Sequence, residues 1–329
     1  MPRTISHYLF AIDCYDKIED NNMKNIISNN INLYKFGCQG PNFFNYCNHY
    51  SFVNNKNLNL ISDLIHNRDI NLFFKNMISY SMDNSCIKSI FSNNNLFEVT
   101  ISYIYGFLSH YILDKNMHPY IYRLQIDLQD QYSKNSRALH KSIETHIDSL
   151  LLDKLKNLNP QDFNEHTYLD LSNDELILLC DMYRFLISSV YKKSIIYNDI
   201  SKCINMFYKT ESMLNTHNKV YSRPYLFVKN RTSKTSHIES KIYDNHKHCV
   251  NDLSNEDNLT WKNPFTLKDS SSSLLDIYNN SIDEYIKIIK LLNSYLSNQI
   301  TMNDILIEIN DKSYFTNENY KNNYDVKLF

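Results

Sequence analysis

The sequence predicts an all-α protein folded as a single multi-helix domain spanning residues 1–329. Three observations carry that expectation. Apolar residues recur three and four apart through most of the chain, the stretch from Leu96 to Met117 is apolar around most of a helix, and no stretch alternates as a strand would. At this length the chain can bury a full core, and its 43% hydrophobic content is that of a soluble globular protein.

Residues 4 to 19 read as the first helix, with Thr4 or Ser6 available as N-cap and His7 in its first turns. The segment GCQGPNFFNY, 37 to 46, reads as a turn that holds Asn42 at a defined place, because two glycines and a proline within five positions would not sit in a helix interior. Residues 58 to 80 then read as one helix carrying His66. From Leu96 to Met117 runs the most apolar helix, with Ile101, Ile104, Tyr105, Leu108, Ile112 and Leu113 around most of its circumference, so it should be central and buried. Gly106 costs about 1 kcal/mol there relative to Ala and points to a close approach of another helix. Pro119 disfavours α geometry at His118 and predicts that the helix ends or kinks there.

Residues 136 to 157 form a further helix, packed through Leu139, Ile143, Ile147 and Leu151, with His140, Glu144 and Asp148 running beside that stripe. Helices are also expected at about 173–193, 197–215 and 272–298. Between the last two, a polar stretch of about 218–271 reads as a long excursion or lid, and the tail after about 311 as loosely held.

A formal net charge of −2 gives no field to hold a polyanion, so nucleic acid is not an expected partner. Seven cysteines with no C-x-x-C pair fit neither a disulfide framework nor a thiolate zinc knuckle, and a reducing compartment is the simplest reading. Neither a leader nor a run of roughly 18 uncharged residues is visible, which predicts a cytoplasmic protein without a transmembrane segment.

The chemistry lies in the imidazoles and carboxylates. His110, Asp114 and His118 are spaced by four, each turned about 40° from the last, on one side of an otherwise apolar helix. Burying an ionised Asp there demands compensating charge, and a divalent cation supplies it. With the helix broken at His118, that imidazole can point elsewhere, and two adjacent metals become natural. His140 and Glu144 repeat the His-x-x-x-acid geometry, and His7 and His66 would complete the set. Imidazole with carboxylate is the ligand mixture of catalytic zinc. Either motif alone also reads as a helix surface pair or a core histidine, His7 as a polar residue near a helix start, and His66 as solvent-facing. His146 lies roughly 240° around its helix from His140 and is excluded. His166, His217, His237, His246 and His248 fall in polar, loop-like sequence.

These residues resemble the zinc-dependent phospholipase C family, which shares its helical fold and metal cluster with the S1 and P1 nucleases. The resemblance spans nearly the whole chain, through TISH ending at His7, GCQGPNFF, LIHNRDINLFF, GFLSHYILDKNMHPYI, HKSIETHID and NLTWKNPF. It implies a phospholipase C or P1 nuclease type of fold and two or three Zn²⁺ ions. His66, His110 and Asp114 would hold one ion, His118, His140 and Glu144 another, and His7 with Asp114 a third. It implies hydrolysis of a phospholipid or other phosphodiester by a metal-activated water, with Asn42, Asp114 and Glu144 as the catalytic positions.

Two departures bear on that expectation. Where the family turn reads Gly-Pro-Asp, with the Asp a metal ligand, this chain has Asn42, whose amide can coordinate zinc but cannot accept a proton as a base. Secreted members use their processed N-terminal amine as a ligand, whereas this sequence starts MPRTISH. A catalytically impaired member, acting as a metal-containing binding or structural protein, is the alternative, and an S1/P1-like nuclease a third reading.

Overall fold

The computed structural model describes residues 3–49, 58–82, 96–129, 136–167, 170–214, 253–322 and 324. Its helices are α1 (Thr4–Lys17), α2 (Asn21–Asn29), α3 (Ile31–Gly37), α4 (Asn59–Asn67), α5 (Ile70–Met82), α6 (Leu96–Gln129), α7 (Ser136–Lys156), α8 (Asn173–Tyr191), α9 (Tyr197–Leu214), α10 (Leu274–Leu296) and α11 (Met302–Ile309). Among the described residues, the sole paired strands are a short antiparallel hairpin of Trp261–Lys262 and Asp269–Ser270. The protein is therefore all-α. No described helix is long and apolar enough to cross a membrane.

Helix α6 is the axis of the core. From Val99 to Tyr122 every side chain but Asn116 is buried, because α1, α2, α3, α5, α7 and α10 all pack around it. Helix α3 comes closest, and the two glycines at the crossing explain why: a Cβ on Gly106 would stand 2.1 Å from the Tyr34 carbonyl oxygen, and one on Gly37 2.4 Å from that of Tyr103. The close approach expected at Gly106 is thus a backbone-to-backbone contact that no larger residue permits.

Several expectations need correction. Helix α6 does not end at His118; it runs on through Pro119 to Gln129. A proline inside a helix costs about 3 kcal/mol, and burial of Tyr120, Ile121, Leu124 and Leu128 beyond it holds the helical path. The single helix expected over 58–80 is two, α4 and α5, separated at Arg68 and Asp69, where Asp69 has φ 51°. The segment read as a turn, 37–46, contains the start of a 3₁₀ helix, Gly40–His49. Neither Thr4 nor Ser6 is the N-cap of α1; Arg3 occupies that position without a side-chain cap of its own. The tail is held firmly as far as Asn322: Ser313, Tyr314 and Thr316 are buried, and the Tyr314 amide donates to the His66 carbonyl at 3.0 Å. Of the excursion at 218–271, only the part from Leu253 onward is described.

Cys14, Cys38 and Cys180 are buried free thiols, as expected, but Cys203 is disulfide-bonded. Spacing along the chain cannot foretell such a bond, because pairing depends on which cysteines meet in the fold.

Candidate metal centre

Helix α6 carries His110, Asp114 and His118 in three successive turns, and its neighbours bring the remaining candidates to it. Asp114 is the hub. His7 from α1 places Nε2 at 3.2 Å from Asp114 Oδ1, while His66 from α4 and His110 place theirs at 3.6 and 3.4 Å from Oδ2. The Nε2 atoms of His66 and His110 lie 3.5 Å apart, and the rings of His7 and His110 have centroids 4.2 Å apart. All four residues are buried.

A second group forms one turn on. His118 from α6 meets His140 and Glu144 from α7, with one ligand atom of each lying within 4.8 Å of the others, the same closeness that joins His7, His110 and Asp114. The rings of His118 and His140 are stacked at 5.8 Å. Eight residues along a straight helix turn a side chain by about 80°. The two groups therefore arise on a continuous α6 without the break that the sequence reading required.

The ring tautomers decide what each group can do. His66 Nδ1 lies 2.7 Å from the Ser62 carbonyl, and His118 Nδ1 lies 2.9 Å from the Asp114 carbonyl. A carbonyl oxygen only accepts, so Nδ1 carries the proton and Nε2 presents a lone pair in both residues. Gln125 does the same for His140: its Nε2 donates to Ser136 Oγ at 2.7 Å, leaving Oε1 to accept from His140 Nδ1, also at 2.7 Å. His140 Nε2 then faces Glu144 Oε1 at 2.9 Å.

Burial reinforces this state. It pushes His66 and His140 down to about 4, against the pull of Asp114 and Glu144 respectively, and drives His110 and His118 well below the ordinary histidine value. Burial pushes the Asp114 carboxyl up, opposed by the nearby imidazoles. Glu144 goes the other way. Burial raises it, but Lys141, with Nζ at 2.9 Å from Oε2, together with His140 holds it well below the usual carboxylate range.

Neutral imidazoles with lone pairs aimed at carboxylate oxygens repel unless a cation lies between them. Both oxygens of Asp114 are buried with no hydrogen-bond partner, a state that costs several kcal/mol when nothing compensates it. The residues present therefore fit a divalent metal, and two buried groups could each hold one. Compared with known families, with curated proteins and with solved structures, the chain matches none.

Seven of the eight sequence candidates are brought together: His7, His66, His110, Asp114, His118, His140 and Glu144. Asn42 is not tied to them by any hydrogen bond or ion pair among the described residues; it is buried, with Oδ1 lacking a hydrogen-bond partner. Its segment does touch the centre through Gly40, where φ is +55° and a Cβ would stand 2.1 Å from the His110 ring. His146 bonds the Ser142 carbonyl through Nδ1 at 2.6 Å, a contact local to its own helix. The side chain of His166, and His217, His237, His246 and His248, lie outside the described residues.

Three supporting residues, Gln125, Lys141 and Phe315, escaped the sequence reading, which sets a fourth, Asp148, beside the α7 stripe without a role. Gln125 stands seven residues after His118, two turns on along the same face, and Lys141 three before Glu144, so both were open to a search at helical spacing. Asp148, one turn beyond Glu144, docks the start of α1. Its carboxylate accepts from the amides of Arg3, Ile5 and Ser6 at 3.0, 3.0 and 3.1 Å and from the Ser6 hydroxyl, which supplies the missing helix cap and fixes His7, the next residue. Arg3 is clamped in turn by Glu211 of α9, which also accepts from Thr4 Oγ1 and Tyr46. Phe315 stacks on His66 at 5.6 Å and meets His118 edge-on at 5.3 Å, spanning both groups. No signal in the tail announces it.

Proposed function

We propose that this protein is a zinc-dependent phosphodiester hydrolase of the phospholipase C type, sharing the helical architecture of that family and of the P1 nucleases. One observation carries the reading: a buried carboxylate without hydrogen-bond donors, Asp114, stands among imidazole nitrogens from three helices, beside a second His, His and Glu group on the same axis. Nitrogen and oxygen donors without thiolate suit zinc in a catalytic setting.

His7, His66, His110 and Asp114 would hold the first group's metal, and His118, His140 and Glu144 that of the second. A zinc ion held there would supply Lewis acidity toward phosphoryl oxygens and would lower the pKa of bound water toward neutrality. The protein's own part is to fix the donors. Ser62 and the Asp114 carbonyl lock the rings of His66 and His118, Gln125 locks His140, and Lys141 keeps Glu144 ionised. Side-chain exposure of 13% at His140, against none at His118 and Glu144, makes its edge the side from which water and substrate approach.

A second reading follows from Asn42. A carboxylate at that position would add charge and a proton acceptor; the buried, unpartnered amide oxygen adds neither. On this reading the protein is a metal-containing binding or structural element. Metal analysis of the purified chain together with turnover of a chromogenic phosphodiester or phosphatidylcholine separates the two. Two or three zinc ions with turnover is the expected result, and zinc without turnover favours the binding protein. Asn42→Asp should raise turnover about tenfold or more if the missing base limits the rate; no gain removes that explanation.

A further inference from the structure

Beside the metal groups lies a cleft of about 510 Å³ lined by Asn67, Arg68, Thr316, Asn319, Tyr320, Lys321 and Tyr324. Its volume is that of a small-molecule site. Two of these residues are cations, and among the described residues that line it none is a carboxylate. Two acids stand behind this lining and pair with it: Asp69 accepts from the Tyr320 hydroxyl at 2.9 Å, and Asp311 accepts from the Asn71 amide at 2.8 Å and stands 4.0 Å from Lys321 Nζ.

Arg68 is the telling residue. Its backbone is fully used, the amide donating to the Leu64 carbonyl at 2.9 Å and the carbonyl accepting from Tyr191, but its exposed guanidinium has no hydrogen-bond or ion-pair partner among the described residues. A planar fork of donors left open in a cleft, with a lysine on the same wall, suits the oxygens of a phosphate. Tyr320, Tyr324 and Thr316 add aromatic and hydroxyl surface around it.

The cleft adjoins the centre along both of its walls. Asn67 follows His66 directly in α4, and Thr316 follows Phe315, whose ring rests on His66 and His118. On the far side Tyr324 packs on Phe265 at 5.7 Å, Phe265 on Tyr122 at 5.4 Å, and Tyr122 on His140 at 4.9 Å. A molecule held at the 13%-exposed edge of His140 thus has this cationic cleft two rings away, beyond Tyr122 and Phe265. We infer that the cleft is a subsite for a phosphate carried on the substrate beyond the scissile diester, so that the enzyme takes anionic headgroups. This rests on the hydrolase reading for the word substrate, but the binding itself does not.

Equilibrium titration of the zinc-loaded full chain with glycerol 3-phosphate, glycerol and inorganic phosphate tests it. Glycerol 3-phosphate should bind and glycerol should not; Arg68→Ala and Lys321→Ala should each weaken binding about tenfold with zinc content and melting temperature unchanged. Arg68→Lys should fall between, since it keeps the charge and loses the fork. Affinity unmoved in the alanine variants overturns the proposal. Inorganic phosphate bound as tightly as glycerol 3-phosphate overturns the substrate assignment and leaves a site for free phosphate. The titration needs neither turnover nor a particular zinc count, so a wild-type chain that binds glycerol 3-phosphate through Arg68 yet turns over no diester would sink the hydrolase reading alone.

Discussion

The two candidate metal groups share helix α6 yet solve the problem of buried charge in opposite ways. In the first, His7, His66 and His110 surround an Asp114 whose oxygens receive no hydrogen bond, and everything is sealed from solvent. In the second, Lys141 already pairs with Glu144, Gln125 holds His140, and the His140 ring reaches the surface. The first group needs a cation to offset its carboxylate, whereas the second is partly neutralised by the protein itself. A bound metal should therefore be a folding element in the first and closer to a replaceable ligand in the second.

The sharpest way to break this contrast is Asp114→Asn. Removing the hub should abolish zinc binding at the first group and cut turnover by more than about 100-fold, beyond what loss of an outer partner costs. Equilibrium dialysis should still find zinc at His118, His140 and Glu144; loss of all metal would show that the groups are one unit. Gln125→Leu addresses the other side. Without the acceptor for His140 Nδ1, zinc affinity of the second group should fall about 10- to 100-fold, while the first keeps its metal.

Asp148→Asn should act through α1. The amide has one acceptor oxygen for donors that now use two, so stability should fall by about 1–3 kcal/mol, and the zinc lost first should be that of the His7 group. An equal loss at both groups would mean that α1 does not set the first independently.

Acidification of the chelated protein should show the smallest and most gradual effect. His66 and His140 hold folded values of about 4 against an ordinary 6.5, so the unfolded chain binds more protons between those limits. Stability from these two is full above 6.5 and is lost progressively as pH falls toward 4. Thermal melting across that window should show a steady decline that zinc suppresses, and a flat profile would contradict the buried neutral histidines.

Much of the fold was legible because helical periodicity is local. Helices α1, α7, α8, α9 and α10 lie within two or three residues of their predicted bounds, since each buries a stripe that the sequence displays directly. Boundaries failed where a single residue was asked to decide. Pro119 predicted a break and Arg68 did not, because local preferences of a few kcal/mol yield to packing that sequence cannot price. The clustering of the candidate histidines and acids was legible for a similar reason: spacing by four puts donors on one face, and an acid amid apolar residues signals a missing partner.

The sequence by itself determined the helical class, the burial of α6 and the identity of the candidate donors, all of which follow from residue type and near-neighbour spacing. Only the tertiary structure decided which donors share a group, that His118 turns to α7 along an unbroken helix, that Asp148 caps a helix more than a hundred residues away, and that Phe315 and the cleft at Arg68 come from a tail with no pattern of its own. Those facts depend on distances between segments remote in the chain, and no local rule of dihedral or periodicity encodes them.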